Sequence, residues 1–349
     1  MLYLTEPDRL GDLLEDQPAY RATQLREWLY EHPVLSTQAM TNLPESLRNL
    51  LAEDLWPFTV DVAQSADAGE TVKWLLRCHD GAPIETVLMG YRSRTTICIS
   101  SQVGCAMGCT FCATGQFGFD RHLDAGEITA QVAYANAVMS EYPLPHSPPR
   151  VSNVVFMGMG EPLANYGNTI ESIRRMIEEM GISARGITVS TVGFVPGMRR
   201  LIEEPWPVNL AVSLHSTIPS ERSKLVPIND RYPIDEVVEA AGEYYLRKGR
   251  RVSLEWTLIA GENDSDEEAI GLARIARQIH AHVNVISVNP TPLSNDEPPD
   301  RDAIRRFVGT LRREGANVTI RDTRGKEIDA ACGQLRMRSE PHRDGSLRP

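Results

Sequence analysis

No stretch of this chain approaches ~20 consecutive apolar residues, so no transmembrane helix and no membrane partner are expected. The first residues, MLYLTEPDRLGDLLEDQ, lack a basic start and an apolar core, which excludes a secretory signal and points to the cytoplasm. Positive charge is also scarce: 36 Lys and Arg stand against 47 Asp and Glu, a net charge of -11. That balance argues against a strongly basic nucleic-acid binder. The shortage is concentrated in residues 1–90, where six Lys/Arg face fifteen Asp/Glu, leaving only -2 for the remaining 259 residues. Basic runs there (247–251, Arg305-Arg306, Arg312-Arg313, 321–326) leave room for a large anionic substrate, although each run alone reads as a solvated helix face. No internal repeat or low-complexity tract is evident. With 349 residues, 42% hydrophobic and 24% charged, the composition is that of an ordinary globular protein.

The pattern along the chain separates four regions. Residues 1–58 read as a helical accessory domain, with an apolar stripe through Tyr20, Leu25, Trp28 and Leu29 and a second helix in LPESLRNLLAEDLW. Residues 59–92 read as a small β extension or linker, with Gly-Ala-Pro at 81–83 supplying a turn. From residue 93 to 336, short apolar runs alternate with helical patterns. The runs are TTICIS, NVVFMG, GITVST, VNLAVSLH, RVSLEWTLI, VNVISVN and NVTIR. Such alternation predicts an α/β fold with a parallel sheet, either a full or partial barrel or a doubly wound sheet. Residues 337–349 read as a disordered tail. In such folds chemistry gathers past the carboxyl ends of the strands. Gly160-Glu161, Ser190, Ser213, His215 and Asn289 all fall there, as does a cysteine-rich segment.

That segment, VGCAMGCTFCATGQ, holds Cys105, Cys109 and Cys112, half of the six cysteines, with no fourth nearby. Clustered cysteines in an intracellular chain more often mean metal or catalysis than disulfides. Three thiolates on a 4Fe–4S cube leave one iron open. Structural zinc usually pairs two knuckles, and only Cys109–Cys112 has that spacing. A ferredoxin site needs a fourth local Cys. Zinc, electron transfer and three buried core cysteines remain the alternatives. Cys78 reads as a small buried hydrophobe. Cys332, between Ala331 and Gly333 in an irregular stretch, reads less simply, since small neighbours suit a nucleophile that meets a bulky partner.

The C-x3-C-x2-C spacing, with Phe111 before the third Cys, resembles the radical S-adenosylmethionine superfamily. The ordered set CISSQVGCAMGCTFCATGQ, VVFMGMGEPLANY, ITVSTVG, SLHS, LVPIND, VNPTP, RDTRG and IDAACGQL resembles the ribosomal large-subunit methyltransferase N (RlmN) family over residues 20–336. The resemblance implies a radical S-adenosylmethionine (βα)6 partial barrel. It implies methylation of carbon 2 of an adenine in 23S ribosomal RNA, and in tRNA. It further implies a 4Fe–4S cluster on Cys105, Cys109 and Cys112, two S-adenosylmethionine molecules per turnover, and a flavodoxin or ferredoxin as electron donor to a monomer. The implied cofactor contacts are Gly160, Glu161, Ser190, Ser213, Leu214, His215 and Asn289. By the same resemblance, Cys332 carries the methyl group and a methylene radical derived from it adds to the adenine. Cys98 then resolves the protein–RNA adduct by forming a transient disulfide, and Glu85 accepts the proton. By pattern alone Glu85 reads as an exposed strand carboxylate, His215 as a satisfied core histidine and Asn289 as a turn residue. Two other functions stay open: methylation of carbon 8 by a Cfr-type relative, and a non-enzymatic RNA-binding or redox-sensing iron–sulfur protein.

Overall fold

The computed structural model describes residues 1–14, 17–289, 291, 294–321, 324–330 and 333–335. Cys332 and the 337–349 tail lie outside the described residues.

The chain opens with 3-10 turns at Leu2–Leu4 and Pro7–Leu14, then α1 (Tyr20–Arg26), a π-helical turn (Glu27–Glu31) and α2 (Glu45–Leu51). Four antiparallel strands follow: β1 (Phe58–Ala66), β2 (Thr71–Cys78), β3 (Pro83–Tyr91) and β4 (Arg94–Cys98). A small insertion contains β5 (Gln102–Gly104), α3 (Ala113–Gln116) and β6 (Phe119–His122), with β5 and β6 paired. The alternating pattern then runs α4 (Ala125–Glu141), β7 (Asn153–Phe156), α5 (Tyr166–Glu178), β8 (Ile187–Thr191), α6 (Val195–Glu203) and β9 (Asn209–Ser213). It continues with α7 (Pro219–Leu225), α8 (Ile234–Lys248), β10 (Ser253–Leu258), α9 (Asp266–Gln278), β11 (His282–Ser287), α10 (Arg301–Arg313) and β12 (Asn317–Ile320).

One ten-stranded sheet runs in the order β1-β2-β3-β4-β7-β8-β9-β10-β11-β12. From β4 to β12 every neighbouring pair is parallel. Six helices (α4, α5, α6, α8, α9 and α10) cross between these strands, giving the six βα units the sequence suggests, with β12 as a further strand. Neither β1 nor β12 pairs with the other, so the barrel is open among the described residues. The strands of residues 59–92 are not a separate sheet. Their hydrogen bonds continue into β4 in the register Val87↔Cys98, which brings Glu85 onto the barrel sheet.

The inner parallel strands β7–β11 hold only buried and half-buried residues, as strands covered on both faces do, whereas the edge strand β12 exposes three of its four. Helix ends follow local chemistry. At α4, the Glu127 carboxylate accepts the Asp124 N–H (2.9 Å). Asp300 and Ser265 cap α10 and α9. Gly249, in the left-handed region at φ 61°, stops α8.

The N-terminal helical region docks on α4 and α5. Tyr3 donates to the Leu29 carbonyl (2.6 Å), Arg175 donates to the Tyr3 carbonyl (2.9 Å), and Arg26 forks onto Glu179 with two bonds of 2.6 Å. Trp56 stacks on Tyr3 at 5.1 Å and meets Tyr134 of α4 edge-on at 5.3 Å. Contact is so close that a Cβ on Gly126 would overlap the Tyr3 carbonyl. Gly126→Val is therefore expected to lower stability by about 1–3 kcal/mol, read as a drop in the melting midpoint. An unchanged midpoint would show that this docking contributes nothing.

Candidate active site

The loop between β5 and α3 carries the three clustered cysteines. Its path is set by backbone bonds: Cys105 N–H to Gly118 O (2.7 Å), Thr110 N–H to Leu225 O (3.2 Å) and Ala113 N–H to Gly333 O (2.8 Å). Cys105, Cys109 and Cys112 all border one pocket at the carboxyl ends of the parallel strands. Gly160, Glu161, Ser190, Ser213, His215 and Asn289 line the same pocket, and Leu214 packs behind it, fully buried. Counting its open mouth, the pocket takes in about 940 Å³ of space between atoms.

The local chemistry of each wall follows from its neighbours. Gly160 sits at φ 101°, and a Cβ there would overlap the Gln102 side chain, so only glycine fits. Gln102 Oε1 in turn accepts the Glu161 N–H (2.8 Å). The buried Glu161 carboxylate accepts N–H groups from Leu163 (3.1 Å) and Val192 (2.9 Å). Burial pushes its pKa up to about 7, and those backbone donors partly hold it down. A buried carboxylate of this kind suits an ammonium group.

His215 is also buried, with the unusual backbone φ of 61°. Its Nδ1 accepts the Thr257 N–H (2.9 Å). Burial, aided by the nearby Arg222 cation, pushes its pKa down to about 3. The imidazole is therefore neutral, and its one proton sits on Nε2 as a donor. The Phe111 ring meets it edge-on at 4.5 Å. One nitrogen is satisfied internally, and the side chain also borders the pocket.

The donor set fits an iron–sulfur cluster better than a single ion. Among the described residues, no three His, Cys, Asp or Glu side chains group around one metal position. Burial pushes the Cys105 thiol up to about 12 and holds the Cys109 thiol well above the ordinary range. Such thiols ionise when soft metal joins them. Cys105, Cys109 and Cys112 would each hold one iron of a 4Fe–4S cluster.

A second group lies on the β2–β3–β4 part of the sheet. Lys73, Val87 and Cys98 occupy one cross-strand row, and Glu85 is two residues from Val87 on the same face. Glu85 is only 3% exposed, contrary to its exposed-strand pattern, because Lys73 Nζ pairs with its carboxylate at 3.1 Å. Lys73 Nζ also donates to the Asp329 carbonyl (3.4 Å). Farther along, Gly325 N–H bonds to Asp67 and Arg324 to Glu70 and the Gly90 carbonyl. The C-terminal segment thus crosses this face, and Gly333 ends against the cysteine loop. Cys332 itself is outside the described residues. Neither Glu85 nor Cys98 lines the main pocket. Lys73 and Arg222 carry no motif signal and were not singled out by the sequence.

The radical SAM superfamily profile matches residues 99–273, and the ribosomal RNA large subunit methyltransferase N-terminal domain matches residues 12–55. A probable dual-specificity RNA methyltransferase RlmN of Salinispora tropica is 46% identical over 331 residues, covering 93% of this chain and 89% of that protein. One of Parafrankia sp. is 48% identical, covering 94% of this chain and 91% of that protein.

The chain belongs to the RlmN family.

The crystal structure of a radical SAM methyltransferase from Sphaerobacter thermophilus superimposes with a TM-score of 0.90 at 47% identity, covering 96% of this chain and 98% of that one. The barrel is therefore the radical SAM fold, and the superfamily's 4Fe–4S cluster and S-adenosylmethionine are this RlmN member's cofactors. Among the described residues, no helix is long and apolar enough to cross a membrane.

Proposed function

We propose that the protein methylates carbon 2 of an adenine in 23S ribosomal RNA, and in tRNA, using two S-adenosylmethionine molecules per turnover. The observation that carries this reading is the convergence of three cysteines, a buried carboxylate and a neutral histidine on one pocket at the strand ends. The cluster and S-adenosylmethionine, once bound, supply the one-electron chemistry that an electron-poor ring carbon needs. The chain's own residues bind and orient. Glu161 and the Gly160 backbone receive the methionine ammonium end. Ser190, Ser213, His215 Nε2–H and Asn289 supply hydrogen bonds along the rest of the molecule, and Leu214 packs behind it.

Cys332 is the methyl carrier: its thiolate attacks the methyl carbon of one S-adenosylmethionine, forming an S–CH3 bond as the sulfonium S–CH3 bond breaks and S-adenosylhomocysteine leaves. After the carrier carbon is joined to the base, Glu85 accepts the proton. The Cys98 thiolate then attacks the Cys332 sulfur, releasing methylated adenine and leaving a Cys98–Cys332 disulfide. A flavodoxin or ferredoxin supplies electrons to the protein, which acts as a monomer in the cytoplasm. Support for this second group comes from the shared face of Glu85 and Cys98 and from the C-terminal segment crossing it. The Cfr-type carbon 8 reading shares these parts and has no separate observation in its favour.

The test is transfer of labelled methyl groups from S-adenosylmethionine to unmodified 23S RNA fragment and tRNA, with 5′-deoxyadenosine measured in parallel. Cluster-containing protein that forms 5′-deoxyadenosine and labels RNA supports the proposal; an S-adenosylmethionine-insensitive cluster and no 5′-deoxyadenosine would leave an iron–sulfur binding protein instead. Glu161→Gln provides a sharper check. The amide cannot accept both backbone N–H groups and a ligand ammonium, so S-adenosylmethionine affinity should fall by about 2–4 kcal/mol, with cluster content retained. Wild-type affinity would remove Glu161 from the binding role.

A further inference from the structure

Arg222, on α7, is fully buried, and its guanidinium touches only neutral acceptors. Nε donates to the Leu214 carbonyl (3.0 Å), Nη1 to Asn229 Oδ1 (2.8 Å) and Nη2 to the Val192 carbonyl (2.7 Å). These acceptors come from the loops after β9 and β8 and from the turn after α7. No carboxylate forms an ion pair with it among the described residues. An isolated buried cation is costly unless an anion compensates it. The structure supplies a direction for that anion. The same short helix ends at Leu225, whose carbonyl accepts the Thr110 N–H of the cysteine loop (3.2 Å). Cys109 and Leu225 pack in one apolar cluster with Val226 and Phe111.

We infer that Arg222 is a fixed counter-charge for the anionic cluster held by Cys105, Cys109 and Cys112, and that it eases the cluster's one-electron reduction. The inference rests on those three cysteines holding the cluster. Three thiolates outweigh the positive charge of the iron–sulfur core, and reduction adds another negative charge. A permanently charged guanidinium in a dry setting favours the more negative state, and net charge around a cluster is one of the protein's main levers on its potential. An arginine suits this better than a lysine, because its fork satisfies three acceptors from three loops at once.

The test is an EPR-monitored redox titration of the anaerobically reconstituted full-length protein, first without S-adenosylmethionine. Arg222→Gln should shift the midpoint to more negative potential. The ratio of reduced to oxidised cluster at a fixed potential should fall by at least ten-fold, about 59 mV for a one-electron couple. Arg222→Lys should stay close to the wild type. Asn229→Asp leaves the arginine in place but sets a carboxylate against Nη1, and should move the midpoint the same way. It keeps the test open if Arg222→Gln does not fold. An unchanged midpoint in an intact Gln or Asp variant overturns the inference, as does an equal shift in Gln and Lys, which would indicate hydrogen bonding rather than charge. Compensation of the S-adenosylmethionine carboxylate instead would show as weakened S-adenosylmethionine binding with no midpoint shift, and also overturns it. Failure of the wild type to take up a cluster would overturn the cysteine assignment and, with it, the role given to Arg222, whereas an unchanged midpoint in a cluster-loaded variant overturns the Arg222 role alone.

Discussion

Cys98→Ala is expected to stop the protein after one attempt, with RNA covalently attached. Cys98 sits near the end of β4, 8% exposed, in the row formed with Val87 and Lys73. Removing one sulfur from this position should cost about 1 kcal/mol of stability, so the variant should fold and take up its cluster. Under the proposed route, its loss removes the only step that separates Cys332 from the base. A slow-migrating protein–RNA species on denaturing gels, absent with Cys98→Ala/Cys332→Ala, is the expected readout, together with loss of multiple turnover. The adduct should survive thiol reductants, because a carbon–sulfur bond, unlike a disulfide, is not opened by thiol exchange. Normal turnover by Cys98→Ala would end the resolving assignment.

Lys73→Met should give the largest loss of stability among the single changes considered. Lys73 and Glu85 are 7% and 3% exposed, and their 3.1 Å ion pair joins neighbouring strands. Removing the ammonium breaks a buried ion pair from one side, which costs about 3–5 kcal/mol. The Asp329 carbonyl loses its donor as well. Lys73→Met/Glu85→Gln should recover much of that loss, since replacing both partners of a buried pair is often nearly neutral. The double variant should still fail to release RNA, because the proton acceptor is gone. Denaturant midpoints and product release then separate the structural role of the pair from the chemical role of Glu85. A loss below about 1 kcal/mol in Lys73→Met, the range of an exposed pair, would mean that this ion pair does not hold Glu85 in place.

Much of the barrel is legible in the chain itself. Seven short apolar runs, most of them ending in a polar residue or glycine, become the seven parallel strands β4 and β7–β12, and several residues at their ends meet in one pocket. Strands β5 and β6 are too short for any periodicity, and the second N-terminal turn buries Leu10 and Leu14 at a helical spacing although it is 3-10. Charged residues were the hardest to read. Lys73 and Glu85 look like solvent-facing strand residues because alternation along one strand cannot reveal a partner on the next. Arg222 falls in ERSKL, which has the look of an exposed helix turn, yet it is fully buried, because its acceptors come from loops far away in sequence. Glu161 and His215 could be picked out by motif, but the protonation state of each depends on burial and on backbone donors from other strands.

The most direct test is nucleoside mass spectrometry of 23S RNA fragment after incubation with the reduced, cluster-containing protein and S-adenosylmethionine. 2-Methyladenosine is the expected product, abolished by Cys332→Ala. 8-Methyladenosine, or no methylated adenosine from protein that still forms 5′-deoxyadenosine, would contradict the assignment of this site to carbon 2.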